Sequence, residues 1–505
     1  MPDTDRMLAA LTVLLAWLAF SAVIAWRAWR RAQAQRRAAE GTGGPAEYLV
    51  VHASQTGFAE QLAARTAEAL RSGGLAVRAA RIDALTGSHL GNGNRVLFLA
   101  STAGEGDAPD DAAVFIRKVM ANAADLSSLR YGLLALGDSS YANYCAFGRR
   151  LDAWLRERGA TPLFPVVEVD DGDAAALRQW EAHLGHLAGS ALAPAWRPPR
   201  HEAWRLAERR LLNPGSPGAP AFHIALTPPA ALPDWQAGDI AEVMPRNAPA
   251  SVRAVLEALG LDPRLPVHAE DGSSLAEVLA ARRLPEDVAD VAGLPAQALV
   301  EALPKLPHRD YSIASLPADG TLQLLVREMR HPDGRLGLGS GWLTAHAAAG
   351  GTVDLRIRRN AGFHPPPDGR PMILIGNGTG LAGLRAHLKA REVAGHRRNW
   401  LIFGERTRAA DYFHRDEVEA WVTSGLLDRL DLAFSRDQAG RVYVQHLLAS
   451  AGDAVRGWVG DGAAVYVCGS QAGMAVAVHA ALMEILGEDG LAALAEAGRY
   501  RRDVY

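Results

Sequence analysis

Cysteine is scarce in this chain. Two occur among 505 residues, Cys145 and Cys468, too few and too far apart for a disulfide framework or a cysteine-built metal knot, as suits a reducing compartment. A basic excess is also lacking. The formal net charge is -3, which leaves no surplus to neutralise a phosphate backbone and excludes bulk nucleic-acid binding. Long apolar runs are absent with one exception, Met7 to Trp26, MLAALTVLLAWLAFSAVIAW, which holds neither a charge nor a histidine.

That run is long enough for a helix of about 30 Å, the thickness of the hydrocarbon core. Arg27, Arg30, Arg31, Arg36 and Arg37 follow it, whereas Arg6 stands beside Asp3 and Asp5 ahead of it. The charge bias predicts a single transmembrane helix (7–26) within an anchor and connector (1–45), in the inner membrane with the catalytic domains cytoplasmic. A cleaved signal peptide is the alternative, against which the positive charge lies on the wrong side. With no histidine in the span, the helix cannot hold a haem between imidazoles.

What is present in abundance is strand-turn-helix rhythm. YLVVHA, RVLFLAST, YGLLALGDS and FPVVEVDD alternate with helical stretches such as FAEQLAARTAEALRSGG, predicting a doubly wound parallel sheet over 46–190 whose ligand sits beyond the carboxyl ends of the strands. The first strand runs into Ser54, Gln55, Thr56, Gly57 and Ala59, a phosphate cradle at a helix start. The second ends in STAGEGDAPDD, with Thr102 and Gly104. The third ends in LGDSSYANY, with Gly137, Asp138, Tyr141 and Tyr144, rings on which a flat ligand can stack. These loops resemble the flavodoxin-like FMN domain of diflavin reductases, which implies FMN held by these residues and by Asp171. Where haemoprotein reductases of that type usually carry an aromatic, this chain has Ala103; sulfite-reductase-type relatives also lack that aromatic. Glu105, Asp107, Asp110, Asp111, Asp170, Asp171 and Asp173 are expected to rim this end, where a basic one-electron acceptor could be steered by charge; a solubilising rim is the other reading.

SALAPAWRPPR (190–200) reads as a linker. Beyond it PAFHIAL, WQAGDIAEVMPRN, RDYSIAS and LQLLVREM are short strand candidates punctuated by Pro and Gly, predicting an antiparallel barrel (200–250 and 307–365) with a small helical insert (251–306). Arg309, Tyr311 and Ser312, followed by Gly337, Gly339 and Ser340, resemble the FAD-binding half of the ferredoxin-reductase family. The arginine fork suits a pyrophosphate. A second doubly wound unit (366–505) opens with PMILIGNGTGLAGL, whose Gly378, Thr379 and Gly380 suit another pyrophosphate. Arg406, Ser435, Arg436, Arg441, Tyr443 and Gln445 form a hydroxyl-and-arginine set that favours a 2′-phosphate, hence NADPH. Asn377 stands where the family has proline, and Gly383-Leu384 where it has Pro-Phe.

Taken together, residues 46–505 resemble the NADPH-dependent diflavin reductases: α/β multidomain chains carrying FMN and FAD and oxidising NADPH. The resemblance implies electron passage from NADPH through FAD and FMN to a haem or iron protein docking near the FMN edge, as in an NADPH-haemoprotein reductase. It implies that Ser312, Cys468 and Asp503 assist hydride transfer at the FAD, Cys468 also meeting the nicotinamide, and that Tyr505 covers the flavin where the nicotinamide must enter. Alternatives are the flavoprotein subunit of a sulfite reductase, a ferric-chelate reductase, and a non-catalytic membrane scaffold. Cys468 as a small buried hydrophobe and Tyr505 as a strand-end cap are the plain structural readings. No metal site is expected.

Overall fold

The computed structural model describes residues 48–91, 94–122, 125–139, 142–189, 200–268 and 273–505. The apolar run of 7–26, the connector, nearly all of the 190–200 linker and Tyr141 lie outside these. Among the described residues no helix is long and apolar enough to cross a membrane.

Three sheets organise the chain. The first is parallel: β1 (Tyr48–Ala53), β2 (Val77–Arg81), β3 (Arg95–Ser101), β4 (Arg130–Gly137), β5 (Thr161–Pro162) and β6 (Val167–Asp170), in the order β2-β1-β3-β4-β5 with β6 also on β4. Helices Phe58–Ser72 and Ala174–Ala188 pack on one face around Leu62, Leu97 and Trp180, and helix Ala146–Glu157 on the other around Phe98, Leu133 and Leu151. Strand β2, VRAAR, is an edge strand half open to water. It carries no buried apolar run, so its sequence gives no strand signal of the kind its neighbours give.

The second sheet is antiparallel, with β7 (Glu202–Leu211), β8 (Ala221–Thr227), β9 (Ile240–Val243), β10 (Arg309–Ser312), β11 (Leu322–Arg327) and β12 (Thr352–Arg358) in the order β10-β9-β12-β7-β8-β11. Strands β7 and β12 bring charged residues into the barrel wall. In β7 only Trp204 and Leu206 turn inward, the period-two pattern of a half-buried strand. Between β9 and β10, helices Pro249–Leu259, Leu275–Ala280 and Ala296–Ala302 enclose a small core of their own built on Leu256, Leu275 and Leu299.

The third sheet is parallel, β13 (Met372–Asn377), β14 (Asn399–Glu405), β15 (Leu427–Phe434), β16 (Ala464–Gly469) and β17 (Tyr500–Val504), ordered β15-β14-β13-β16-β17. The chain therefore ends as the edge strand of this sheet, paired with β16 so that Cys468 faces Asp503 in register. Polar contacts knit the three sheets together. Arg502 forms an ion pair with Asp110, Lys118 with Glu496 at 2.8 Å, and Arg385 donates to the carbonyl of Ala314 at 2.6 Å.

Candidate functional site

The carboxyl ends of β1, β3 and β4 open onto a cavity of 470 Å³ that the barrel and the last strand close from the other side. From the first sheet come Gln55, Thr56, Thr102, Gly104, Gly137, Asp138, Tyr144 and Asp171; from the barrel Arg309, Tyr311 and Ser312; from the chain end Asp503 and Tyr505. Two loop sets that the sequence assigns to two different flavins thus face one shared space.

The loop after β1 is built for an anion. Ser54 Oγ accepts the Gly57 N–H at 3.0 Å, and Gly57 sits at φ 87, a left-handed conformation that glycine adopts at little cost. A β-carbon there would also strike the carbonyl of Arg359 on the barrel. Asp111 takes the Ser54 N–H with both carboxylate oxygens, at 3.2 and 3.1 Å. Burial pushes the Asp111 carboxyl up to about 8, opposed by the Ser54 N–H and by Arg81. Gln55 accepts the Asp110 N–H at 2.8 Å and donates to the Arg502 carbonyl at 3.1 Å. Gly137 leaves room for Tyr144 and Cys145, which a β-carbon would crowd at 2.8 and 2.7 Å. Ala59 is wholly buried and packs the helix onto the sheet, so it supports the loop from behind.

At the barrel edge, Ser312 donates to Asp503 Oδ2 at 2.6 Å, and Cys468 Sγ lies 3.8 Å from the same oxygen. The three residues singled out for hydride transfer are therefore in one cluster. Burial raises the Asp503 carboxyl, with Ser312 and Arg358 acting against it; burial likewise raises the Cys468 thiol well above its ordinary value, with the charge of Asp503 adding to it. Cys468 is fully buried, and Gly383 leaves the space for its sulfur: a β-carbon at 383 would stand 3.2 Å from Sγ. Tyr505 is 55% exposed, donates to Thr379 Oγ1 at 3.3 Å, and borders both this cavity and the next.

Beside the cluster lies an ion network that sequence reading missed. Arg358 donates to Glu242 at 2.7 Å and pairs with Asp310; Arg356 donates to Glu242 at 2.8 Å. Although burial opposes ionisation of Asp310, Arg358 and His308 hold its carboxyl below the usual range. The charges alternate, so each is paired rather than stranded. Gly337, Gly339 and Ser340 do not line the cavity. Gly339 packs against Arg309 and the Tyr311 hydroxyl, and Ser340 Oγ takes the Met329 N–H at 3.0 Å.

A second cavity, of 600 Å³, lies over the third sheet. Gly378, Thr379, Arg406, Ser435, Arg436, Tyr443 and Gln445 line it, as do Arg327, Glu405 and Met474, which the sequence did not single out. Arg327 belongs to a barrel strand and pairs with Glu405 across the seam, a relation invisible to local motif reading. Gly380 is buried, and a β-carbon there would overlap the Cys468 carbonyl, so it is a packing glycine. Arg441 is exposed and stands outside the lining. Asn377 accepts the Ser470 N–H at 3.1 Å, tying the ends of β13 and β16 together.

The acidic residues expected as a free rim are largely engaged. Asp110 holds Arg502, Asp111 holds Ser54, Asp170 takes the Ser139 N–H at 2.8 Å, and Asp173 caps helix Ala174–Ala188 through Ala175 and Ala176. Asp171, at φ 43, faces His308 at 4.0 Å. Glu105 and Asp107 remain exposed.

Comparison with known proteins agrees with this geometry. Residues 50–183 match the flavodoxin family and residues 374–480 the oxidoreductase NAD-binding domain. The chain is 31% identical to a sulfite reductase [NADPH] flavoprotein alpha-component of Neisseria meningitidis, an alignment covering 92% of this chain and 90% of the relative. It is 30% identical to the proteins of the same description from Aliivibrio fischeri, covering 90% and 89%, and from Vibrio parahaemolyticus, covering 94% and 88%.

Proposed function

The chain belongs to the NADPH-dependent diflavin reductases, with FMN, FAD and NADPH as its cofactors, and from that premise we propose that it is the flavoprotein component of a sulfite-reducing system, handing electrons to a haem or iron protein. A nicotinamide gives up electrons in pairs and a haem or iron centre takes them singly; bound FAD accepts the pair and bound FMN releases electrons one at a time. The observation that carries the reading is the shared 470 Å³ cavity, where both flavin loop sets face each other. Similarity along nine-tenths of the chain to sulfite reductase flavoproteins favours this acceptor over the general haemoprotein-reductase reading that the sequence put first.

In this reading the residues divide the work. The loop Ser54–Gly57, its Ser54 and Gly57 N–H groups held by Asp111 and by Ser54 Oγ, would meet the FMN phosphate through the Gln55 and Thr56 N–H groups. Arg309 meets the FAD pyrophosphate, and Ser312, Asp503 and Cys468 hold and orient a proton beside the reacting edge while excluding water. Ser435 and Arg436 receive the 2′-phosphate of NADPH, and Tyr505, between the two cavities, must swing aside for the nicotinamide. Placement on the cytoplasmic side of the inner membrane remains part of the proposal, supported by the arginine flank of the 7–26 run; membrane fractionation tests it independently.

The experiment is reconstitution. Purified chain should release one FMN and one FAD on acid extraction, and NADPH should then support sulfide formation when a sulfite reductase haemoprotein is added. A single flavin would overturn the two-site reading. Reduction of generic one-electron acceptors without any sulfide formation would overturn the choice of acceptor.

A further inference from the structure

The loop after β3 lines the first cavity with Ala103 and Gly104, and the fold brings a side chain against Gly104 from another sheet. Gln471 lies in the loop after β16. Its carboxamide rests on Gly104, where a β-carbon would overlap Nε2, Cδ and Oε1 alike. Gly104 stands at φ 46, so the backbone favours glycine here, whereas a β-carbon would be accommodated by a shift of the flexible end of Gln471. Gln471 lines the 470 Å³ cavity together with Ala103, Gly104 and Tyr144. The carboxamide forms no hydrogen bond to any described residue, although it carries two donors and an acceptor.

Its backbone is committed elsewhere. The Gln471 N–H donates to the Tyr505 carbonyl at 3.0 Å, and the Tyr505 N–H donates to the Gly469 carbonyl at 3.1 Å. Ser470 is pinned to Asn377, while Ala472 and Gly473 break the helical geometry immediately after. One residue therefore has its side chain in the first site and its backbone bonded to the terminal tyrosine.

Resting on the reading of this cavity as the FMN site, we propose that Gln471 is an FMN-binding residue lent by the NADPH-binding unit, its carboxamide bonding the polar edge of the flavin, and that it reports the position of Tyr505 to that site. A flavin's pyrimidine edge presents both donors and acceptors, which a carboxamide matches and a carboxylate does not. Displacement of Tyr505 by nicotinamide pulls on the bond to the Gln471 backbone and so loosens the carboxamide from the FMN.

The test uses the full-length holoprotein and the recovery of free-FMN fluorescence on dilution. FMN should leave Gln471→Ala about fivefold faster than wild type, the worth of one neutral hydrogen bond. It should leave Gln471→Glu faster still, because that variant keeps the volume but replaces the amide donors by a charge. Adding NADP⁺ should speed FMN release from the wild type and leave release from Gln471→Ala unchanged. A residue that merely fills the seam would give Gln471→Glu a wild-type rate, and that result overturns the proposal. Unchanged FAD content and thermal midpoint establish that the variants are folded. A wild-type protein that holds FAD but no FMN would overturn the cofactor reading itself, a failure distinguishable from an FMN-bound protein indifferent to residue 471.

Discussion

Arg502 on the last strand and Asp110 on the loop after β3 form a two-pronged ion pair across the seam between the first and third sheets, with Nε 3.0 and 3.1 Å from the two carboxylate oxygens. Gln55 bonds both partners, donating to the Arg502 carbonyl and accepting from the Asp110 N–H. Removing the pair by Asp110→Ala should shift the closed arrangement toward an open one by ~1 kcal/mol, about fivefold in the ratio, since both groups are only partly buried. Small-angle scattering should show a larger radius of gyration, and the shift should vanish in high salt, where the wild type is screened as well.

Asp503→Ala should slow reduction of the FAD by NADPH about a hundredfold, in the range of a lost proton-handling group, with nucleotide affinity little changed. Because Ser312 and Asp503 share one hydrogen bond, the double variant Ser312→Ala/Asp503→Ala should be scarcely slower than Asp503→Ala alone. Stopped-flow absorbance reads both. Additive losses would separate the two residues into independent roles.

Arg436→Ala should weaken NADPH binding by about 1.5 to 3 kcal/mol, the value of a charge-assisted bond, and leave NADH turnover nearly untouched. Arg441→Ala should have a smaller effect than Arg436→Ala, because Arg441 stands outside the cavity lining. Titration with both nucleotides decides between them.

Asp111 gives a pH signature. Its folded carboxyl titrates at about 8 against an ordinary 3.8, so between those values the folded chain holds a proton that the unfolded chain has released. Stability therefore falls as pH rises from about 4 to about 8, by up to ~1.4 kcal/mol per unit for a single group fully in that window. Asp111→Asn removes the titration, and its thermal midpoint should decline less than that of the wild type between pH 5 and pH 8. Parallel curves would mean that Asp111 is ionised in the fold.

Much of this architecture was legible in the sequence, and the remainder was hidden for identifiable reasons. Buried parallel strands such as MILIGN announce themselves as apolar runs that close on small or polar residues, here Gly376 and Asn377. The edge strand VRAAR and the barrel strands EAWRLAERRL and TVDLRIR do not, because one face or both meet water or salt bridges. Ser312, Cys468 and Asp503 were nameable from motif resemblance, and the register of β17 on β16 is what joins two of them. Gln471, Arg502 and Arg327 were not, since their importance comes from the docking of one sheet on another and no local pattern encodes it. Asn377 and Gly383, departures from the family pattern, acquire reasons only in three dimensions: one ties a loop, the other makes room for a sulfur.

The engagement of Asp110 and the loop after β1 by the terminal strand has a kinetic meaning for any protein that must reach the same face. The strand acts as a tethered competitor. Being covalently attached, it presents itself at the high effective concentration of an intramolecular ligand, of millimolar order for a short flexible tether, and an incoming acceptor sees its affinity reduced by the fraction of time the face is clear. Dilution cannot relieve such competition, whereas salt can, because the contact rests on the Arg502–Asp110 pair. An acceptor steered to Glu105 and Asp107 by charge would lose attraction and gain access as salt rises, so its reduction rate should pass through a maximum at intermediate ionic strength, and that maximum should disappear in Asp110→Ala.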